Sequence, residues 1–200
     1  MVKNIIFDIG DVLADFVWRE FYGTFGFSDE IQEKLAACTV LGPLWPEFDQ
    51  GVLGEQEMIA AFKQYDDTIA AEIDMVFHDI GGMLRQKDYA VPWINELKEQ
   101  GYKVYIISNM PSQMARQCAD ALSFAELADG VILSFQEKMA KPDSTIFRRL
   151  LERYDLTAGE CVFIDDRERN VTAARNLGIP GIVFESYQQA YGDLKKLLMM

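Results

Sequence analysis

The sequence predicts a doubly wound α/β fold, a parallel sheet covered on both faces by helices, with a small all-helical insert after the first strand. Three observations carry this. The runs Ile5-Ile6-Phe7, Val104 to Ile107 and Cys161 to Ile164 are continuously apolar, as strands buried on both faces are. Stretches of helical character separate the later runs, and that alternation is the mark of a parallel sheet. From about Phe16 to Leu84 the alternation stops: aromatics and methionines are scattered among charges, and no segment reads as a strand. The chain therefore divides into a sheet unit, residues 1–15 and 85–200, and a helical insert, residues 16–84.

The elements follow in order. Val2 to Phe7 is the first strand, and Ile9 to Asp15 is the loop at its carboxyl end. In the insert, Asp29 to Ala37 is a helix capped by Ser28. Pro43 and Pro46, flanking Trp45, separate it from a helix over Glu55 to Phe62, and Gly51 and Gly54 make the intervening turn. Ile69 to Phe77 is a third helix. Beyond the insert, Val91 to Gln100 is a helix stopped by Gly101, Lys103 to Ile107 a strand, Ser112 to Leu122 a helix and Gly130 to Leu133 a strand. Thr145 to Tyr154 is a helix, with Asp143 placed to cap it and Pro142 just before. Cys161 to Ile164 is a strand, Asn170 to Leu177 a helix stopped by Gly178 and Pro180, and Gly181 to Phe184 the last strand.

Bulk properties narrow the function. The chain has 200 residues, half of them hydrophobic, and a net charge of −13, which argues against a nucleic-acid surface. An anionic substrate then needs local positive charge from a cation or from placed Lys and Arg. Cys38, Cys118 and Cys161 are widely spaced and contain no CxxC, so buried reduced thiols in a cytoplasmic protein are expected rather than disulfides or zinc. No apolar run approaches the roughly 20 residues that span a bilayer, and Asp8 and Asp11 interrupt the N-terminal run too early for a signal peptide.

Four short polar motifs follow strand ends, where open α/β sheets place their ligands. Asp8 follows Ile5-Ile6-Phe7, Ser108-Asn109 follow Val104 to Ile107, Asp165-Asp166 follow Cys161 to Ile164, and Lys141-Pro142 precede a helix. Three carboxylates gathered at one sheet edge require a cation or a proton, and oxygen donors suit Mg²⁺. Helix capping accounts for one of the Asp165-Asp166 pair but not for both. Lys141, restricted by Pro142 to extended backbone, supplies positive charge near an anion. Ser108-Asn109 offer a hydroxyl and N–H groups to phosphate oxygens. Taken singly, a Lys-Pro or Ser-Asn pair is an ordinary loop. His78, within an apolar helical stretch, reads as structural or surface; Trp18, Trp45, Phe48 and Trp93 read as packing residues. Met83, Met110, Met114, Met199 and Met200 carry no specific signal.

In this order the motifs FDIGDVLADF (Phe7 to Phe16), IISN (Ile106 to Asn109), KPD (Lys141 to Asp143) and FIDDRERNVTAARNLG (Phe163 to Gly178) resemble the haloacid dehalogenase-like (HAD) hydrolase superfamily. Within it the chain resembles the group of bacterial glucose-1-phosphatase-like enzymes and the phosphatase domain of soluble epoxide hydrolases; FDQGVLGEQEM, Phe48 to Met58, resembles the former. The resemblance implies a Rossmann-like core, with the insert as a cap, and a Mg²⁺-dependent phosphatase acting on a small phosphate monoester, a sugar phosphate by subgroup. It implies Asp8 as the nucleophile that forms an aspartyl-phosphate, and Ser108, the Asn109 backbone and Lys141 as phosphate-binding groups. Mg²⁺ would be held by Asp8, the Gly10 carbonyl and Asp166, with Asp165 supporting, and Asn170 would order the loop after Asp166. In most phosphatases of the family a second Asp, acting as general acid/base, stands two residues after the nucleophile. Here that position is Gly10, and Asp11, one residue on, is its candidate replacement. The missing acid/base keeps two alternatives: a metal-free 2-haloacid dehalogenase, in which Asp8 attacks carbon, and a catalytically weak protein that binds phosphometabolites without turnover. No nucleic-acid or membrane partner is expected, and oligomeric state is left open.

Overall fold

Five strands run parallel in one sheet. β1 (Asn4–Phe7) lies at its centre between β4 (Lys103–Ser108) and β6 (Cys161–Asp165), with β5 (Gly130–Leu133) outside β4 and β7 (Gly181–Val183) outside β6. The computed structural model describes residues 1–199; Met200 lies outside them. Phe7 pairs in register with Ile106 on one side and Ile164 on the other, so β1, β4 and β6 end together at one edge. The chain winds outward from β1 through β4 to β5, then crosses to β6 and β7. The carboxyl end of β1 is therefore the switch point, where an open sheet splays its loops and leaves a crevice.

Successive strand residues point to opposite faces, and both faces are covered. Ile5 and Phe7 pack with α6 (Ala90–Glu99) and α11 (Tyr187–Leu198), where Trp93 meets Phe7 edge-on at 4.7 Å between ring centroids. Ile6 packs on the other face with Tyr105, Phe163 and the apolar side of α9 (Ser144–Arg153), through Ile146, Phe147 and Leu150. α10 (Glu168–Arg175) joins that face through Ala174. The continuous apolar runs of the sequence are thus explained by two-sided burial.

Helix ends follow their local chemistry. Gly101 and Gly178 take φ of +89° and +80°, the left-handed region that ends helices most cheaply at glycine. The Asp143 carboxylate accepts from the Thr145 N–H at 2.9 Å and caps α9. Asp143→Ala is expected to cost about 1 kcal/mol, read as a lower urea midpoint at unchanged slope.

The segment after β1 departs in part from the sequence reading. The chain enters it through β2 (Ala14–Phe16) and leaves through β3 (Leu84–Gln86), which pair as an antiparallel ribbon. Strands of three residues are too short to show a period, and for that reason they escape sequence analysis. Between them lie α1 (Trp18–Gly23), α2 (Asp29–Cys38), α3 (Trp45–Gln50), α4 (Glu55–Tyr65) and α5 (Ala70–His78). α3 forms because Pro46 sits in its first turn, where the missing N–H costs no helical bond. The expected helix from Ser112 is shorter: α7 (Ser112–Gln117) gives way to 3₁₀ turns over Asp120–Leu127. α11, capped by the Ser186 hydroxyl on the Gln189 N–H, has no counterpart in the sequence reading. Trp45, Phe48, Phe62 and Phe77 cluster among the inserted helices with centroids 5.3 to 6.5 Å apart. Their core continues into that of the sheet through Leu13, Met83, Met110 and Met114. Among the described residues no helix is long and apolar enough to cross a membrane. The three cysteines are free and buried.

Candidate active site

Asp8 follows β1, and its N–H still donates to the Ile164 carbonyl of β6 at 2.9 Å. The last residues of β4 and β6 are Ser108 and Asp165. Sheet register therefore brings three of the four sequence motifs to one edge. The fourth arrives from the loop before α9, where a side chain fixes a main chain. The Asn109 amide donates to the Lys141 carbonyl at 2.9 Å and accepts from the Lys141 N–H at 2.8 Å. The Lys141–Pro142 peptide is cis. Sequence reasoning assigned Asn109 only a backbone role and missed this clamp.

The Lys141 ammonium is buried and lies 2.7 Å from Asp8 Oδ1 and 2.7 Å from Asp165 Oδ2. Burial works against its charge, but the two carboxylates outweigh that and raise its pKa. Asp165 is fully occupied. Its Oδ1 accepts from the Arg167 N–H and the Asn170 amide, and its Oδ2 from Lys141 and the same amide. Burial pushes its carboxyl up, yet Lys141 and these donors outweigh burial and hold it below the usual range. Asn170, expected to order the loop, thus grips the carboxylate itself. Asp8 also accepts from the Ile9 N–H at 2.7 Å. Burial pushes its pKa up, Lys141 opposes that, and Asp165 adds to it.

Carboxylate oxygens of Asp8, Asp165 and Asp166 come within 4.8 Å of one another. One lysine does not neutralise three carboxylates, and Asp166 is raised by burial and by Asp165, with Arg167 Nε, 4.0 Å away, its one ion-pair partner among the described residues. An all-oxygen set with surplus negative charge and spare lone pairs on Asp8 and Asp166 fits a hard divalent cation such as Mg²⁺.

Asp8, Gly10, Asp11, Ser108, Asn109, Lys141 and Asp166 line one cavity of about 620 Å³; the Asp165 carboxylate lies beneath its floor. The Ser108 hydroxyl makes no hydrogen bond among the described residues. Asp11 has φ of +57°, and its Oδ1 accepts from the Phe16 N–H at 3.3 Å. At Gly10 an added Cβ would meet no heavy atom within 4 Å. His78 lies exposed at the end of α5, outside this cavity. The inserted segment and its borders line the same cavity through Phe16, Val40, Leu41, Trp45, Asp49 and Leu84, as do Met110 and Met114. Trp45 is therefore a wall residue as well as a packing one. Met110 and Met114, silent in the sequence, are placed here by their spacing from Asn109. Arg167 and Arg169 also face the cavity, and their position in the last motif was the only signal for them.

A family model described as haloacid dehalogenase-like hydrolase matches residues 2–178. The chain belongs to that family. As a HAD-like hydrolase it is similar to two curated phosphatases along nearly its whole length. The sesquiterpene phosphatase astK of Aspergillus oryzae is 29% identical over 196 residues, covering 98% of this chain and 96% of that protein. The D-ribitol-5-phosphate phosphatase of Bacteroides thetaiotaomicron is 27% identical over 210 residues, covering 96% and 94%. In fold, the chain is similar to a HAD family enzyme from Bacteroides thetaiotaomicron solved in complex with magnesium and inorganic phosphate. Its TM-score is 0.73 at 24% identity, covering 96% of this chain and all of that one.

Proposed function

We propose that this HAD-like hydrolase is a Mg²⁺-dependent phosphatase that hydrolyses a small phosphate monoester through an aspartyl-phosphate on Asp8. One observation carries the reading: a buried carboxylate, oriented by the Ile9 N–H and Lys141, at the floor of a cavity that also holds Asp166 and the free hydroxyl of Ser108. Asp8 attacks phosphorus, and covalent capture divides the hydrolysis into two easier steps. Ser108 and the Asn109 backbone bind phosphoryl oxygens, and Lys141 holds the Asp8 charge and that of the transferring group. Asp8, the Gly10 carbonyl and Asp166 would hold Mg²⁺, with Asp165 supporting through its hold on Lys141. When bound there, the cation would supply charge neutralisation to phosphoryl oxygens. Residues 16–84 act as a cap that selects the substrate and excludes water over the core of residues 1–15 and 85–200.

The ribitol-phosphate relative supports a sugar phosphate as substrate. The apolar wall of Phe16, Val40, Leu41, Trp45, Met110 and Met114 favours a second class, phosphates of apolar alcohols, in keeping with the sesquiterpene phosphatase. A panel holding sugar phosphates, isoprenyl monophosphates and p-nitrophenyl phosphate tests both. Phosphate release is expected to require added Mg²⁺, to stop with EDTA and to return when Mg²⁺ is restored. Metal-independent chloride release from a 2-chloroacid would instead favour the dehalogenase. Ligand binding without release across the panel would favour the binding protein.

A further inference from the structure

Gly10 leaves the nucleophile loop without a carboxylate at that position, and one oxygen of the Asp11 carboxylate accepts from the Phe16 N–H. Three other carboxylates line the same cavity: Asp166, in the cation set, Asp143, which caps α9, and Asp49. Asp49, on α3, makes no side-chain hydrogen bond or ion pair among the described residues and lines the same cavity as Asp8. We propose that Asp49 is the general acid/base of this enzyme, supplied by the inserted helices in place of the missing loop carboxylate. The inference rests on the phosphatase reading.

Geometry comes first. In-line displacement puts the leaving oxygen on the far side of phosphorus from Asp8, and Asp49 enters the cavity from the inserted helices rather than from the sheet edge that carries Asp8. Asp49 is also fixed relative to the sheet. Its carbonyl accepts from the buried Ser134 hydroxyl, which in turn accepts from the Met110 N–H at 2.8 Å. The next turn is tied down as well, the Gly51 carbonyl accepting from Lys138. A cavity-lining carboxyl on a tethered main chain, unpaired among the described residues, is costly unless it serves chemistry.

The surrounding charges agree. Burial pushes the Asp49 carboxyl up to about 7, against the pull of Arg167 and Lys141, which suits a group that gives and takes a proton near neutral pH. The other charged groups on the cavity wall are Asp8, Asp11, Asp143, Asp166 and Arg169. On α8 (Ser134–Glu137), which packs against α3, Glu137 is paired with Arg149 and Arg153.

The steps balance. As Asp8 bonds to phosphorus and the ester P–O bond breaks, the Asp49 proton passes to the departing alkoxide, giving the alcohol, an aspartyl-phosphate and an Asp49 carboxylate. That carboxylate then takes one proton from water as the water oxygen bonds to phosphorus. The bond to Asp8 breaks, and inorganic phosphate leaves with both aspartates restored.

The test compares wild type, Asp49→Asn, Asp11→Asn and the double variant Gly10→Asp/Asp49→Asn in Mg²⁺, with thermal melts confirming that each is folded. An alkyl phosphate, whose leaving group needs a proton, should lose about 10²-fold or more in kcat/KM with Asp49→Asn. p-Nitrophenyl phosphate, whose leaving group does not, should give a near-stoichiometric burst of p-nitrophenol followed by slow turnover. The fall of kcat/KM at high pH should disappear in Asp49→Asn. Gly10→Asp, which the open space at Gly10 accommodates, should restore much of the loss. Activity of Asp49→Asn within threefold of wild type on both substrates overturns the assignment. So does an equal loss on both with an unchanged pH profile, or transfer of the whole effect to Asp11→Asn. Absence of phosphate release by wild type across the panel overturns the phosphatase reading itself, and this proposal with it.

Discussion

Asp8→Asn is expected to lower phosphate release on the order of 10⁴-fold or more, the scale on which losing a covalent nucleophile acts, while the protein stays folded. The amide keeps the size of the carboxylate and can still accept from the Ile9 N–H. It removes the charge that attacks phosphorus. Lys141 is not orphaned, because Asp165 Oδ2 remains 2.7 Å from its ammonium. The substitution also removes the repulsion between two buried carboxylates that face the same lysine. The melting temperature is therefore expected to stay level or rise. Steady-state release from p-nitrophenyl phosphate, with thermal melts on the same preparations, checks both halves. Activity within tenfold of wild type would sink Asp8 as the nucleophile. A collapsed melt would mean that the loss of activity is structural.

How much of this was legible in the sequence depends on how far each signal reaches along the chain. The sheet was legible because two-sided burial writes itself as a continuous apolar run, and because a polar residue directly after such a run marks the strand's carboxyl end. Asp8, Ser108 and Asp165 were found in that way, and β1, β4 and β6 do end together. The ribbon of β2 and β3 left no trace: three residues on each side, mostly half-exposed, have no period to detect. The Asn109 clamp on Lys141 spans 32 residues and links two motifs that a linear reading treats as independent. Asp49 was invisible for a further reason. It lies in the stretch Phe48 to Met58 that carries the subgroup resemblance, but that resemblance gave no role to any single residue of it. Only the packing of α3 against α8 brings it into the cavity, where among the described residues its carboxylate has no hydrogen-bond or ion-pair partner.

The second large effect concerns stability. Lys141→Met is expected to destabilise the fold by about 3–5 kcal/mol, the cost of removing one partner from a buried ionic cluster. Methionine fills the volume but leaves Asp8 and Asp165 buried beside each other without a cation. The Asn109 clamp holds the Lys141 main chain rather than its side chain, so the loop itself should survive. The sign of the pH dependence follows. In wild type, Lys141 and its other donors hold Asp165 below the usual range. That contribution is present above the ordinary carboxylate pKa and is lost as pH falls through the lowered one. Asp8 is already raised by burial in wild type; in the variant, loss of Lys141 raises it further and lifts Asp165 too above the unfolded value of about 4. The folded state then binds more protons than the unfolded one, and stability falls as pH rises through the raised values. The gap between wild type and variant should therefore widen between pH 5 and pH 8 in urea titrations run with EDTA, which keeps divalent cations from replacing the lysine charge. A gap of the same size at both pH values would mean that the two carboxylates find other neutralising partners when the lysine is gone. Lys141 would then stabilise the sheet edge by means other than neutralising those two carboxylates.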